Sequence, residues 1–445
     1  METRYEIRKQ ELLNECTVAP EIFEQVMPRL ERFMAPYVEH LSRKEQIAHS
    51  HTFVQGLLSD LSRKNVESIA YRFGQDRMPL QWFIGVSDWD DDALRQVLVD
   101  QVGKDLGEED GVIVFDPSAF AKSGNDSVGV KRQWCGRLGK VENCQVAAYM
   151  GYVSSQEHAL VDMRLFLPKE WTQDSVRRNK AGVPKGVRYK TRHQLCLDML
   201  HRHGHKLAHQ FIAGDDEMGR PYWFRRHLDE LGETYLLAVP SDTLVRDMEG
   251  DQPAYSGRGR RGRRPWQRVD QWAAGCDRED WTRIEVRDGA KGPLLVEVVK
   301  RCVLGRTHRR QEGHPEVLVV IRYRDRDEKR VVKTDYYLSN ASPDTEKATF
   351  ARVARAEHRI EECIQRAKSQ AGLADYEVRN WKGWHHHQTL SLMATWFLVQ
   401  EARRGKKMDP GDHPAANLPG HRPDPSRPVR MRYALAHQSR TRTAS

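Results

Sequence analysis

Asp116, Asp215 and Glu361 are the side chains of this sequence best disposed to share one reaction. Asp116 follows the continuous apolar run GVIVF, and Asp215 follows KLAHQFIAG. Such runs suit strands buried on both faces. The ends of neighbouring strands form the rim of a crevice, where acids can face one another. Glu361 lies in EHRIEECIQRAK, flanking a helical apolar stripe of Ile360, Cys363, Ile364 and Ala367. A helix packed on the sheet by that stripe would turn Glu361 toward the crevice. Carboxylates are hard oxygen ligands, and Mg²⁺ needs only a few of them because it keeps several waters. Two such ions about 3.5–4 Å apart activate a water or a 3′-hydroxyl and stabilise the leaving oxygen of a phosphodiester. The expectation is that Asp116 bridges two Mg²⁺ ions, that Asp215 and Glu361 hold one each, and that Mn²⁺ can substitute. An acid after a strand is by itself more often a turn former or helix cap. The triple gains weight because each member falls on an element that one fold would bring together.

Three strand patterns, GVIVFD, CQVAAYMGYV and ALVDMRLFLP, come first, the last two separated by a hairpin-length SSQEH. Then follow a helix in TRHQLCLDMLHRHG, a strand ending at Asp215, a helix in YWFRRHLDELG and a strand in TYLLAVP. Three antiparallel strands followed by two on crossover helices is the core order of the ribonuclease-H-like fold. The expected class is therefore α/β, with a mixed-sheet core. Residues 1–105 read as a helical DNA-binding domain, because apolar residues recur at helical spacing. Two short helices around a turn, SRKNVESIAYRFG and QDRMPLQWFIG, suit a helix-turn-helix or equally two bundle helices. The core is expected over 106–240 and 346–404, interrupted at 241–345 by an inserted, mainly β subdomain with runs such as LLVEVVKRCVL and PEVLVVIRYR. Residues 405–445, rich in Pro, Arg and His, read as a disordered basic tail.

Such a chain, 445 residues with 39% hydrophobic and 30% charged, exceeds one hydrophobic core and suits a globular protein. No apolar run approaches the roughly 18 residues of a membrane span, and METRYEIRKQELLNE has no apolar h-region. The seven cysteines, Cys16, Cys135, Cys144, Cys196, Cys276, Cys302 and Cys363, show no C-x-x-C spacing and read as reduced thiols of the cytoplasm. The net charge of +9 makes nucleic acid a reasonable partner, and arginine dominates the basic stretches. GRGRRGRRPWQR, with Arg260, Arg261, Arg263 and Arg264, is a candidate to track a DNA backbone, or else a solvated loop tip. Lys122, Lys131 and Arg132 follow the first strand and are further candidates for phosphate. Lys368 stands two helical turns after Glu361, on nearly the same face. His385, His386 and His387 point in different directions on a helix, so no metal is assigned to them.

Several blocks resemble one family. VFDPSAFAKSG, VGVKRQWCGRLGKVENCQV, FIAGDDEMGRPYWFRRHL and RIEECIQRAKSQAGLADYEVRNWKGWHHHQTLSLMATWFLV occur in order. They resemble the insertion-sequence transposases of the DDE superfamily, in the IS Four-like clan and of the IS Seven-Zero-One type. GLLSDLSRKNVESIA and LQWFIGVSDWD extend the resemblance over about residues 50–400. It implies Asp116, Asp215 and Glu361 as catalytic triad, with Asp215 preferred to Asp216 because it stands four residues before Gly219. It also implies two Mg²⁺ ions, double-stranded DNA as partner in the form of terminal inverted repeats and target, and a homodimer in the synaptic complex. The protein would be cytoplasmic and nucleoid-associated, with no membrane partner. The implied activity is metal-dependent cleavage at element ends and strand transfer into target DNA. An aromatic residue of the inserted region would stack a flipped base, for which Trp266, Trp272 and Trp281 are available, or would simply pack. Related transposases carry a Tyr, an Arg, the Glu and a Lys. Here Ala354 and Glu357 stand at the Tyr and Arg positions, while Glu361 and Lys368 match. Arg355 or Arg359 can stand in for the missing arginine. The alternative that these departures support is a catalytically impaired, transposase-derived DNA-binding protein.

Overall fold

A computed structural model describes residues 26–251, 264–288, 292–309, 311–324 and 330–408, with 6, 7, 9 and 10 besides. Arg260, Arg261 and Arg263, Cys16 and the tail beyond 408 lie outside the described residues.

Five helices come first: α1 (Met27–Val38), α2 (Lys44–Leu58), α3 (Val66–Arg72), α4 (Arg77–Gly85) and α5 (Asp91–Leu106). Their starts follow capping chemistry. Asn65, Asp76 and Asp90 each accept a hydrogen bond from a backbone N–H of the first turn. The α3–α4 turn contains Gly74 at φ 64°, a left-handed conformation glycine adopts without strain. The outward face of α4 carries Met78, Trp82 and Val86 rather than a basic row, and Arg77 is paired with Glu67 at 2.7 Å.

Next come β1 (Val112–Ala121), β2 (Lys131–Cys135), β3 (Lys140–Val153) and β4 (His158–Leu165), then α6 (Lys169–Gln173), α7 (Ser175–Lys180) and α8 (Arg192–His203). β5 (Phe211–Gly214), α9 (Asp216–Gly219), α10 (Tyr222–Glu230) and β6 (Tyr235–Ala238) complete the expected strand and crossover-helix order. β1, β5 and β6 are parallel neighbours, while β3 is antiparallel to β1 and to β4. The fold is thus mixed α/β around a large mixed sheet, as a ribonuclease-H-like core requires.

β7 (Leu244–Asp247), β8 (Gln267–Arg268), α11 (Val269–Ala274), β9 (Thr282–Asp288), β10 (Gly292–Arg306), β11 (Glu312–Arg324) and β12 (Val331–Ser339) follow. These strands extend the core sheet, because β12 pairs antiparallel with β6 and carries β11 and β10 outward in turn. Open hydrogen-bonding groups along β6 make that continuation favourable. A second apolar cluster, including Val245, Val303, Leu318 and Val320, sits under this outer part. Trp272 is buried in it, Trp281 lies beneath the Arg322 guanidinium at 3.6 Å, and Trp266 lies beneath that of Arg246 at 4.4 Å.

α12 (Lys347–Gln370) and α13 (Trp381–Met408) close the described chain. α13 begins at Trp381 rather than near Thr389 and locks the N-terminal helices onto the core. His386 has its two ring nitrogens 2.9 and 3.1 Å from the carbonyls of Ile84 and Trp89, donates to one of them at a time when neutral, and stacks on the Trp89 ring at 3.6 Å. His387 bonds the Gly372 carbonyl at 2.8 Å. Burial pushes both imidazoles down to about 4, so they sit neutral, each with a ring nitrogen engaged by backbone.

Candidate active site

The register of the parallel strands brings the first two acids together. The last parallel pair of β1 and β5 is Phe115 with Gly214. Asp116 and Asp215 are the next residues along the chain after that pair, so the two acids leave the β1–β5 pairing side by side. Asp116 is not at the end of its own strand, since β1 continues to Ala121 against β3. Asp215 caps α9, and its Oδ1 accepts from the Met218 N–H at 3.0 Å.

α12 delivers the third acid. Its apolar stripe, with Phe350, Val353, Ala354, Ile360, Cys363 and Ile364, is buried against the sheet. Ile360 seats over Gly151 of β3, where a methyl would collide with its Cδ1. That close approach fixes the height of the helix, and with it the next residue, Glu361. The Glu361 carboxylate is exposed and faces His358 at 3.9 Å. Ala354, at the expected tyrosine position, is part of the buried stripe.

Like charges converge here. Burial raises the Asp116 carboxyl well above the usual range, and Asp215 and Glu361 raise it further. Burial, with Glu217 and Asp216, lifts Asp215 to about 7 against the Met218 hydrogen bond. Glu361 is held below its usual range by the neighbouring His358. Glu357, one turn before Glu361, is raised by burial and then by Asp215, Asp335 and Glu361. Sequence reasoning treated Glu357 only as a departure from a basic position. Its i,i+4 spacing to Glu361 was the available signal that both share a face. Asp335 on β12 had no such signal, because only the continuation of the sheet brings it near.

Among the described residues no three His, Cys, Asp or Glu side chains already converge as ligands of one ion. The donor chemistry nevertheless fits a hard divalent cation. Ionised carboxylates forced together in a partly buried crevice repel one another, and a cation removes that cost.

The basic candidates divide. Lys368 reaches the site, donating to Ser118 Oγ at 2.7 Å, and lowers the Asp116 carboxyl. Lys368→Ala is expected to slow cleavage about 10–100-fold with little loss of thermal stability, read by single-turnover kinetics beside a melting curve. Lys122 is turned inward: it bonds the Tyr376 carbonyl at 3.3 Å and lies 3.5 Å from the ring centroid. Lys131 pairs with Glu170, and Arg359 with Glu362 at 3.1 Å. Arg132 is exposed. Arg264 bonds the carbonyls of Asp247 and Met248.

The family model for DDE superfamily endonucleases matches residues 36–293, more than half of the chain and including Asp116 and Asp215. The chain belongs to that family. The match ends before α12, so Glu361 lies outside the matched residues. The chain is also similar to the "probable transposase for insertion sequence element IS701" of Microchaete diplosiphon, 26% identical over 247 residues. That alignment covers 54% of this chain and 59% of the relative's length. Among the described residues no helix of this DDE endonuclease is long and apolar enough to cross a membrane.

Proposed function

We propose that this DDE endonuclease is a transposase that cuts DNA at the ends of its own element and joins those ends to target DNA. The observation that carries the proposal is that Asp116, within β1, and Asp215, just past the end of the adjoining parallel strand β5, each follow the last paired residues Phe115 and Gly214, with Glu361 close enough to raise the Asp116 carboxyl. The family match and the relative's name point the same way.

In this reading Asp116, Asp215 and Glu361 hold divalent metal, most simply two Mg²⁺ ions or Mn²⁺ in their place. Such a pair, when bound, activates the attacking oxygen and stabilises the leaving one. The chain's own residues do the rest. Asp116 is near enough to both other acids for each to raise its carboxyl. Asp215 is oriented by the Met218 N–H, which leaves its second oxygen for a ligand. Lys368, braced on Ser118, offers positive charge to the phosphate beside the acids. Residues 1–105 serve DNA binding, and two copies hold the two ends in one synaptic complex.

The test is cleavage and strand transfer in Mg²⁺ or Mn²⁺, on duplex DNA ending in the repeats that flank the gene. Wild type is expected to release 3′-hydroxyl ends and insert them, whereas Asp215→Asn binds without cutting. Binding by wild type with no product in either metal would refute the proposal and favour a non-cutting DNA-binding protein, the reading that Glu357 at an expected arginine position supports.

A further inference from the structure

The β2–β3 hairpin is the feature the active site leaves unexplained. β1 pairs with β3 only as far as Ala121 opposite Cys144. One further backbone bond, from the Lys122 N–H to the Asn143 carbonyl at 2.8 Å, follows, while β2 and β3 pair with each other from Lys131–Cys144 out to Cys135–Lys140. The turn is closed by a short 3-10 segment, Gly136–Leu138, and by Gly139 at φ 60°. The hairpin therefore overhangs the sheet in the direction β1 takes past Asp116, which is the edge that bears the acids.

Its base is fixed. Cys135 and Cys144 are buried with Val146, Gln133 donates to the Cys144 carbonyl, and Asn143 donates to the carbonyls of Lys122 and Gly124. Its outer face is apolar and exposed. Trp134 is 58% exposed and stands opposite Val141, which is 52% exposed. Leu138 at the tip is 40% exposed. Arg132 lies two residues from Trp134, hence on the same face, and is exposed as well. From 131 to 143 the sequence has four basic residues, Lys131, Arg132, Arg137 and Lys140, against the single acid Glu142. That acid is bridged to Lys140 at 3.1 Å. Lys131 is paired with Glu170, so the exposed Arg132 carries the described positive charge of this face; a two-stranded ribbon that sets an arginine beside large apolar side chains in solvent suits a polyanion whose grooves also offer apolar contact.

We infer that this hairpin is a DNA-reading ribbon that enters the major groove of the duplex held at the active site. The inference rests on the proposed function in one respect, that the acids bind DNA. The major groove admits a two-stranded β-ribbon, and thymine methyls there give apolar contacts. Tyr149 is opposite Asp116 and Val141 is opposite Trp134, so eight residues of β3 separate the two places. At about 3.4 Å per residue that is roughly 27 Å, or about eight base pairs of duplex. Arg132 contacts the backbone, while Trp134, Leu138 and Val141 meet base edges about eight pairs from the cut phosphate.

The test is hydroxyl-radical footprinting and affinity measurement with the full chain, on the flanking-repeat duplex and on a shuffled duplex. Trp134→Ala is expected to lose protection centred about eight base pairs from the cut, and to weaken repeat binding at least about tenfold while shuffled binding is unchanged. Trp134→Phe should restore most of it. Arg132→Ala should weaken both duplexes and lower the salt slope by about one. Because Trp134 is exposed, the variant's melting temperature should match wild type. An unchanged footprint in Trp134→Ala overturns the inference, as does a change in sedimenting mass with no change in footprint. Cutting with an unaltered footprint sinks the ribbon alone. A Trp134-dependent footprint in a protein that never cuts sinks the transposase reading alone, and a wild type that binds neither duplex sinks both.

Discussion

Asp116→Asn should reduce metal-dependent DNA cleavage by about four orders of magnitude or more, equivalent to roughly 5.5 kcal/mol of transition-state stabilisation. The acid follows the last residue of β1 that pairs with β5, beside Asp215, and is raised by burial, by Asp215 and by Glu361. A neutral amide keeps the shape and removes the charge that would hold a bridging ion. The same change should leave the metal-free protein at least as stable at pH 8, because it relieves a buried like-charge contact. Single-turnover cleavage and metal-free melting, measured on one preparation, give both halves. A variant that cuts within tenfold of wild type would remove Asp116 from the reaction. One that melts much earlier would make its role structural.

Metal and pH should act on stability through the same acids. Asp215 is raised from 3.8 to about 7 in the folded state. The folded protein then holds a proton that the unfolded chain has lost. The stability from this group is fully present below about pH 4 and disappears as pH rises through about 7. The loss by pH 8 is up to roughly 4 kcal/mol, and Asp116 and Glu357, also raised, act in the same direction. Mg²⁺ or Mn²⁺ should restore stability at pH 8, where the carboxylates are ionised, and do little at pH 5, where protons compete. Melting curves with chelator and with metal at both pH values measure this. Glu361→Gln should abolish the metal-induced rise, whereas Glu357→Gln should raise the metal-free melting temperature at pH 8 and keep the response to metal. Equal metal stabilisation at pH 5 and pH 8 would count against carboxylate ligation, and the reverse outcome for the two glutamates would move the third ligand to Glu357.

Glu357 and Asp335 show why part of the site was hidden in the chain. Asp335 joins the crevice only after β12 pairs with β6, whereas Glu357 shares a helix face with Glu361 but is identified as a neighbour of Asp215 only once α12 packs on the sheet. A sequence pattern reports which face of its own helix or strand a residue occupies, and carries no information on which distant strand lies opposite. Lys122 illustrates the same point from the other side. Its position after the first strand made it a phosphate candidate, yet the folded chain lays Tyr376 across it.

Local chemistry written along the chain specified much of the rest. Continuous apolar runs gave β1, β5 and β6, helical stripes gave α8 and α12, and the order of these elements already implied a ribonuclease-H-like core with Asp215 at a strand end, whereas Asp116 lies within a β1 that pairing with β3 carries on to Ala121. What tertiary structure alone decided was longer in range. It made the strands from Leu244 to Ser339 a continuation of the core sheet, carried the Trp134 hairpin out past the acidic edge, and set α12 against Gly151, with Glu361 close enough to Asp116 to raise its carboxyl. Burial patterns depend on neighbours a few residues away, whereas pairing partners and helix height depend on shape complementarity between segments hundreds of residues apart.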